Sequence, residues 1–350
     1  MSKSTRTLAL VLITALMAAT TALAATKPKA KPKPPAKKPA PKVAPHYVKG
    51  TTQLAGEWAV FGTTYTLGKS DPWNITMKSA EYTIEPILIG ERIYIPNADQ
   101  KLLVLHYNMH NPQKGEALLR FDTLAMTAVD AKDQNWEYIR ELGAEKTKER
   151  VQVELKPAQK LDVYTAVLVP AAGVMPKLIV KSYDETVLRY DLRGKVKGMS
   201  APFADPNDNS GATALQSIPA QVGTSYPLGN FDLKLESASF SDKPVGDQEL
   251  EEGARNLVLI CSAKNRSKDK SLLRFDTFNC KLTDADGVEV EWNQNMYSAS
   301  RDATIQTDVE PGQEIRFRYA CPVPKDVKLK SLSIREEEGH MFVYDLSGVK

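Results

Sequence analysis

Most of the chain beyond residue 60 alternates between apolar and polar positions. In KLLVLHYNMHN (101–111), Leu103, Leu105, Tyr107 and Met109 fall on one side, and Val104, His106, Asn108 and His110 on the other. Further along, Leu257, Leu259, Cys261 and Ala263 take one side. Phe278, Cys280 and Leu282 follow, with Asp286-Gly287 marking a hairpin turn. QEIRFRYACPVP (313–324) puts Ile315, Phe317, Tyr319 and Cys321 inward and Arg316 and Arg318 outward. A period of two means half-buried strands. Short strands between turn residues, with few helical patterns, predict an all-β chain of antiparallel sandwiches. One stretch, Ile139–Arg150, has the Glu, Lys and Leu content of a short helix.

The alternation occurs twice. LLRFDT stands at 118–123 and again at 272–277. With 103–194 laid over 257–348 without a gap, 25 of 92 positions are identical. Asn111 meets Asn265, Asp130 meets Asp284, Pro157-x-Gln159 meets Pro311-x-Gln313, and Val169-Pro170 meets Val323-Pro324. Upstream, FGTTYTLG (61–68) answers VGTSYPLG (222–229). Units this long can each bury a core, so the pattern predicts a duplicated domain rather than a solenoid. The expected boundaries are 51–197 and 215–350, joined by a Pro-, Asn-, Asp- and Ser-rich linker at 198–214. Asp205, Asn207 and Asn209 in that linker lack the Gly and Glu that a calcium loop needs after them. LLRFDT itself is expected to be one strand, with Leu119 and Phe121 inward and Arg120 and Asp122 paired on the outer face. Arg274 and Asp276 repeat the pair, a register device or a repeated contact patch.

The residues Asn265, Phe278, Asp284, Gly287, Pro311-Gly312-Gln313 and Val323-Pro324 form a pattern that resembles the telokin-like, immunoglobulin-like domains of exported bacterial proteins. The first copy departs from it at two turns, with Ala158 in place of the Gly and no Gly behind Asp130. The resemblance implies two tandem immunoglobulin-like sandwiches outside the cytoplasm. It supplies no catalytic residues. Cys261 and Cys321 would correspond to the inter-strand disulfide of immunoglobulin domains, with buried free thiols as the alternative.

The N-terminus differs from everything behind it. Lys3 and Arg6 precede an apolar run from Leu8 to about Ala19, and Ala22-Leu23-Ala24 offers a small-x-small cleavage site. These are the parts of a secretory signal, expected to span 1–24. The run is shorter than the ~20 residues of a spanning helix, so no transmembrane segment is expected in the mature chain. Residues 25–50 are then expected to be disordered, because Lys27–Pro45 holds seven Lys, seven Pro and no acid. Lys27, Lys29, Lys31, Lys33, Lys37, Lys38 and Lys42 make this tract either a stiff spacer or a tether to an envelope polyanion. The whole sequence carries +3; without its first nine cations, residues 47–350 carry −6 (3 − 9). A basic groove for nucleic acid is therefore not indicated.

Candidate chemistry is sparse. No nucleophile elbow, metalloprotease His pair or phosphate loop is present. His106 and His110 share a face ~13 Å apart, too far to chelate one ion, and are expected to be solvated. No Cys-x-x-Cys suggests zinc. Trp58, Trp73, Trp136 and Trp292 are substituted by other apolar residues between copies, or lie where packing accounts for them. No metal or cofactor is expected. The expected function is an exported, non-catalytic binding or structural protein whose partner is a protein or an envelope polymer. A sugar-binding or protease-inhibiting module is the alternative, and an unmarked hydrolase the third.

Overall fold

The computed structural model describes residues 49–51, 53, 57–184, 186–246 and 249–350. The expected signal and the lysines of the Lys/Pro tract lie outside the described residues. The rest belongs to one compact unit, Pro45–Lys350. It is all-β, with no helix among the described residues.

The first half opens with β1 (Thr64–Leu67), β2 (Trp73–Thr83), β3 (Ile87–Ile89), β4 (Arg92–Tyr94) and β5 (Gln100–His110). Next come β6 (Ala117–Leu119), β7 (Leu124–Val129), β8 (Asn135–Glu137), β9 (Gly143–Ala144) and β10 (Val153–Leu155). It closes with β11 (Lys160–Pro170), β12 (Lys177–Ser182), β13 (Val187–Asp191) and β14 (Val196–Lys197). The second half holds β15 (Ser217–Ala220), β16 (Ser225–Leu228), β17 (Phe231–Ser241), β18 (Ala254–Asn265), β19 (Ser271–Leu273) and β20 (Asn279–Asp284). Then follow β21 (Glu289–Val290), β22 (Met296–Ser298), β23 (Thr307–Val309), β24 (Glu314–Pro324), β25 (Leu329–Arg335) and β26 (Met341–Asp345).

Each half is a sandwich around its own core. In the first, a front sheet β1-β2-β5-β11-β9 faces a back sheet β13-β12-β7-β8. In the second, β16-β17-β18-β24-β22 faces β15-β26-β25-β20-β21. The halves agree in detail. Both front sheets carry a bulge on their second strand, between Met77 and Ser79 and between Leu235 and Ser237. Tyr65 accepts a hydrogen bond from Val60 N at 2.9 Å, and Tyr226 from Gln221 N at 3.0 Å. Buried Asn111 donates to Gly115 O and Leu155 O, and buried Asn265 to Asp269 O and Val309 O. A buried amide that satisfies two loop carbonyls costs ~1–3 kcal/mol to remove, which ties this residue type to the turn. Where the first copy lacks glycine the backbone still takes the left-handed turn. Ala158 has φ 61° against 73° for Gly312, and Asp133 has 59° against 85° for Gly287.

The alternating positions pack as expected. Leu103, Leu105, Tyr107 and Met109 are buried in the first core, and Phe317, Tyr319 and Cys321 in the second. Two expectations need correction and two are made more definite. LLRFDT is not one strand: β6 and β19 end at the second leucine, and a turn follows. Arg120 N donates to Thr123 Oγ1 and Arg274 N to Thr277 Oγ1, so the threonine side chain ends the ladder in both copies. Phe121 is only partly buried, and Phe275 is 50% exposed.

Ile139–Arg150 forms no helix. Its only regular element is β9, and Arg140 and Lys148 both take positive φ. Cys261 and Cys321 are not bridged. Cys261 lies opposite Phe317 and Cys321 opposite Leu257. The pair is thus four residues apart along neighbouring strands, ~13 Å, whereas a disulfide needs Cα atoms within ~7 Å. All three cysteines are buried free thiols, and burial pushes the Cys280 thiol up to about 12. Finally, the 198–214 linker gives one buried residue to each core. Ala212 belongs to the first core and Ala214 to the second.

The junction between the halves follows from that last point. Ile84 and Ala171 of the first half are buried in the second half's core. Lys101 is fully buried, and its ammonium donates to the carbonyls of Ala171, Gly173 and Ala212 while lying 4.5 Å from the Tyr82 ring centre. His340 stands between two carbonyls, with Nδ1 2.8 Å from Leu215 O and Nε2 2.9 Å from Gln100 O. Ala98 N donates to Glu338 O at 2.8 Å.

Candidate functional site

The outer face of the first front sheet carries the features that packing alone does not require. Its residues come from the second set of each alternation: Leu102, Val104, His106, Asn108 and His110 on β5, opposite Leu168, Ala166, Tyr164, Asp162 and Lys160 on β11. Down the strands this face passes from apolar to charged. At the apolar end the β3–β4 hairpin folds over it and makes a small third cluster of Ile89, Leu102, Val104, Tyr164 and Ala166. The second half has no such hairpin among its described residues.

Between that hairpin, the middle of the sheet and the second half runs a groove of about 410 Å³. Its floor is apolar, formed by Ile87, Leu88, Ile93, Val104 and Tyr164, and its rim holds Glu81, Glu85, His106 and Lys148. Asp232 and Arg266 of the second half, paired at 3.3 Å, close one end. His106 is held by carboxylates on both sides: Nδ1 lies 2.5 Å from Glu145 Oε1 and Nε2 lies 3.6 Å from Glu81 Oε1. Those acids are themselves paired, Glu81 with Lys197 at 3.2 Å and Glu145 with Lys148 at 3.5 Å. Lys148 also lies 4.4 Å from the Tyr164 ring centre. The Tyr164 hydroxyl donates to Leu88 O, and burial raises its pKa.

The hydroxyls of the lining are Thr83, which accepts from Glu85 N at 2.9 Å, and Tyr164, tied to the hairpin. An apolar floor with a few fixed polar groups, set where two sandwiches meet, has the usual build of a ligand site.

Below the groove the same face opens into a cleft of about 760 Å³ around Lys78, Lys146, Lys160, Asn108 and Asp162. Asp162 accepts from Lys78 and Asn108, both at 2.7 Å. Partial burial works to raise its carboxyl, but these two bonds and the Lys146 charge outweigh it and hold the group below the usual carboxylate range.

The residues singled out from sequence are scattered. Arg120 pairs with Asp122 at 2.6 Å and Arg274 with Asp276 at 2.5 Å, both exposed and both in turns. The first pair borders a separate surface cleft with Trp73 and Tyr183. His106 and His110 are not solvated: the first is half-buried between glutamates, and the second is buried with Nδ1 2.9 Å from Asn74 Nδ2. The groove and the lysine cleft were missed. Their signal lies in positions where the two copies differ, since what is shared is mostly scaffold.

No family model matches the chain, and no curated protein matches it. Among solved structures it is similar to an uncharacterized β-sandwich protein from Clostridium difficile, at 15% identity over 41% of this chain and 99% of that one, with a TM-score of 0.31. It is also similar to a conserved hypothetical protein from Bacillus anthracis, at 15% identity over 32% and 86% of the two chains, TM-score 0.25. The yjhA protein from Bacillus subtilis matches at 16% identity over 37% and 96%, TM-score 0.26.

Proposed function

We propose that this is an exported, non-catalytic binding protein of the cell envelope or extracellular space, made of two tandem telokin-like, immunoglobulin-like domains, and that its ligand lies in the groove where they meet. The strand-for-strand agreement of the halves supports duplication. The basic start, apolar run and Ala22-Leu23-Ala24 support export. The observation that carries the binding role is the groove itself. Its walls come from both halves, and its floor is made by the first half's β3–β4 hairpin, which has no counterpart among the described residues of the second half.

The test is co-sedimentation of the protein with isolated cell envelopes, beside a Thr83→Arg variant that fills the groove from a half-exposed position. Wild type should sediment and the variant should stay in solution. Absence of wild-type binding would overturn the envelope assignment. Equal binding by the variant would overturn the groove.

A further inference from the structure

We infer that the cleft around Lys78, Lys146 and Lys160 is a binding site for an anionic polysaccharide, with lysines meeting carboxylates and neutral side chains meeting the sugar hydroxyls. The inference deepens the binding reading above and rests on it.

The argument starts from the internal comparison. Both front sheets have the same strand order, the same bulge and the same registers. The scaffold is therefore constant, and a charge pattern that scaffold alone required would appear twice. It does not. The bulge residue is Lys78 in the first half and Glu236 in the second. Lys146, Lys160 and Asp162 correspond to Ser300, Glu314 and Arg316. Over the whole lining, three lysines and one aspartate carry +2 in the first half; in the second, Glu236, Glu314 and Arg316, with Lys234 and Arg301 at the positions of Thr76 and Thr147, carry +1, so the halves differ in where the charges stand.

Most of the second-half charges satisfy one another, with exposed Arg301 the one left without an ion-pair partner among the described residues. Glu236 pairs with Arg316 at 2.6 Å, and Lys234 lies 3.9 Å from Glu236 and 3.8 Å from Glu314. In the first half only Lys78 is so paired, with Asp162. Lys146 and Lys160 are exposed, and neither has an ion-pair partner among the described residues. Two ammonium groups without an ion-pair partner among the described residues thus flank an open cleft.

The neutral lining indicates what kind of anion fits. Thr64, Thr76, Thr147 and Asn108 line the cleft together with the lysines. Asp162 sits among them as a carboxylate, an acceptor in the middle of a basic cleft. A dense phosphate chain would be repelled there. A sugar ring would instead donate a hydroxyl to Asp162 while its carboxylates, on either side, met the lysines. The cleft runs from β2 across β5 and β11 to the turn after β9. Those three strand intervals are about 14 Å, so the surface matches a chain of several rings rather than one.

The experiment is titration of the full chain with oligogalacturonate, beside neutral dextran and polyphosphate, for wild type, the double variant Lys146→Glu/Lys160→Glu, and Thr83→Arg. Oligogalacturonate should bind wild type, weaken in 1 M salt where the Debye length is ~3 Å, and lose about tenfold or more in affinity in the double variant, where two attractions become repulsions. Dextran should not bind. The N-terminal lysines are intact in every variant, so unchanged affinity in the double variant would place the binding elsewhere and overturn the inference. Tighter binding of polyphosphate than of oligogalacturonate would overturn the choice of ligand. Wild type that sediments with envelopes but ignores oligogalacturonate would sink this inference and leave the groove reading standing. Loss in Thr83→Arg but not in the double variant would do the same.

Discussion

The two halves share a corner and use it in opposite ways. In the first half the corner is Ile84, just after β2, with Ala171, just after β11. Both are buried in the neighbouring core. The equivalent positions in the second half are Asp242 and Lys325, which form an exposed ion pair at 2.9 Å. Backbone geometry is the same in both places, since Ala171 N donates to Asp99 O and Lys325 N to Gly253 O. The scaffold therefore offers a docking corner twice, and two side chains decide whether it is used. Apolar residues there gain by meeting another core. A charged pair is content in water and would be costly to cover. The same logic separates the cations stacked at these corners. Lys101 over Tyr82 is sealed by the 198–214 segment, whereas Arg255, 3.5 Å from the Phe240 ring centre, remains partly exposed.

The largest effect should come from writing the second corner into the first. Ile84→Asp puts a carboxylate without its cation into the junction, so a cost of ~3 kcal/mol or more is expected. Unfolding, measured by denaturant titration, should split into two transitions because the halves lose their common surface while keeping separate cores. Adding Ala171→Lys should recover part of the folded-state stability of the halves but not the coupling. A single unshifted transition in Ile84→Asp would show that this corner does not hold the halves together.

A smaller effect is expected at Lys101, and it is pH-dependent. Burial pushes the Lys101 ammonium down to about 8, with the Asp208 charge pulling it partly back. The folded state therefore releases this proton before the unfolded chain does. Between about pH 8 and 10.5 the unfolded chain binds more protons, so stability rises with pH there, with a limiting slope of about 1.4 kcal/mol per pH unit. Below pH 8 the cost of the buried charge is fully present and constant. Lys101→Met removes the titration and takes this donor from the Gly173 and Ala212 carbonyls, at ~1–3 kcal/mol, while Ala171 O keeps its bond from Ala214 N at 2.9 Å. The stability difference in favour of wild type should widen from pH 8 to 10. A flat difference would mean that the three carbonyls hold the proton against burial.

How far the sequence reaches is clear from these same places. Alternation in KLLVLHYNMHN placed Leu103 to Met109 in a core because period two is set by the backbone and needs no partner to read. The repeat exposed Asn111 and Asn265, whose roles are local. LLRFDT misled because its leucines and phenylalanine continue a strand pattern, while the threonine that ends the strand acts through one hydroxyl bond. The helix expected at 139–150 failed for a related reason: composition favours a helix, but β11 pairs with the backbone of 143–144 and Gly90 of the hairpin donates to Lys148 O. The cysteines could not be paired from spacing, because registry between β18 and β24 decides the distance. His106 and its glutamates come from β2, β5 and the turn after β9, so only the folded sheet brings them together. The lysine cleft was legible in principle, as a sign change between aligned copies, though only a shared sheet makes those positions neighbours.

The smallest expected effect is also the sharpest division between scaffold and site. Lys78–Asp162 and Glu236–Arg316 are the same cross-sheet pair with the signs exchanged, at 2.7 and 2.6 Å. Lys78→Glu alone should cost only ~0–1 kcal/mol, because the pair is half exposed. Adding Asp162→Arg should restore that, since the geometry already accommodates the reversed pair one domain away. Thermal unfolding of the single and double variants would show it. If the pair mattered only for register, the double variant would be equivalent to wild type in every respect. The cleft, however, would exchange a lysine for a glutamate at the bulge and its central acceptor for a guanidinium. A sheet that keeps its stability while its affinity for oligogalacturonate changes would separate the ion pair's structural role, which either orientation fulfils, from the placement of charge, which only the first half's orientation provides.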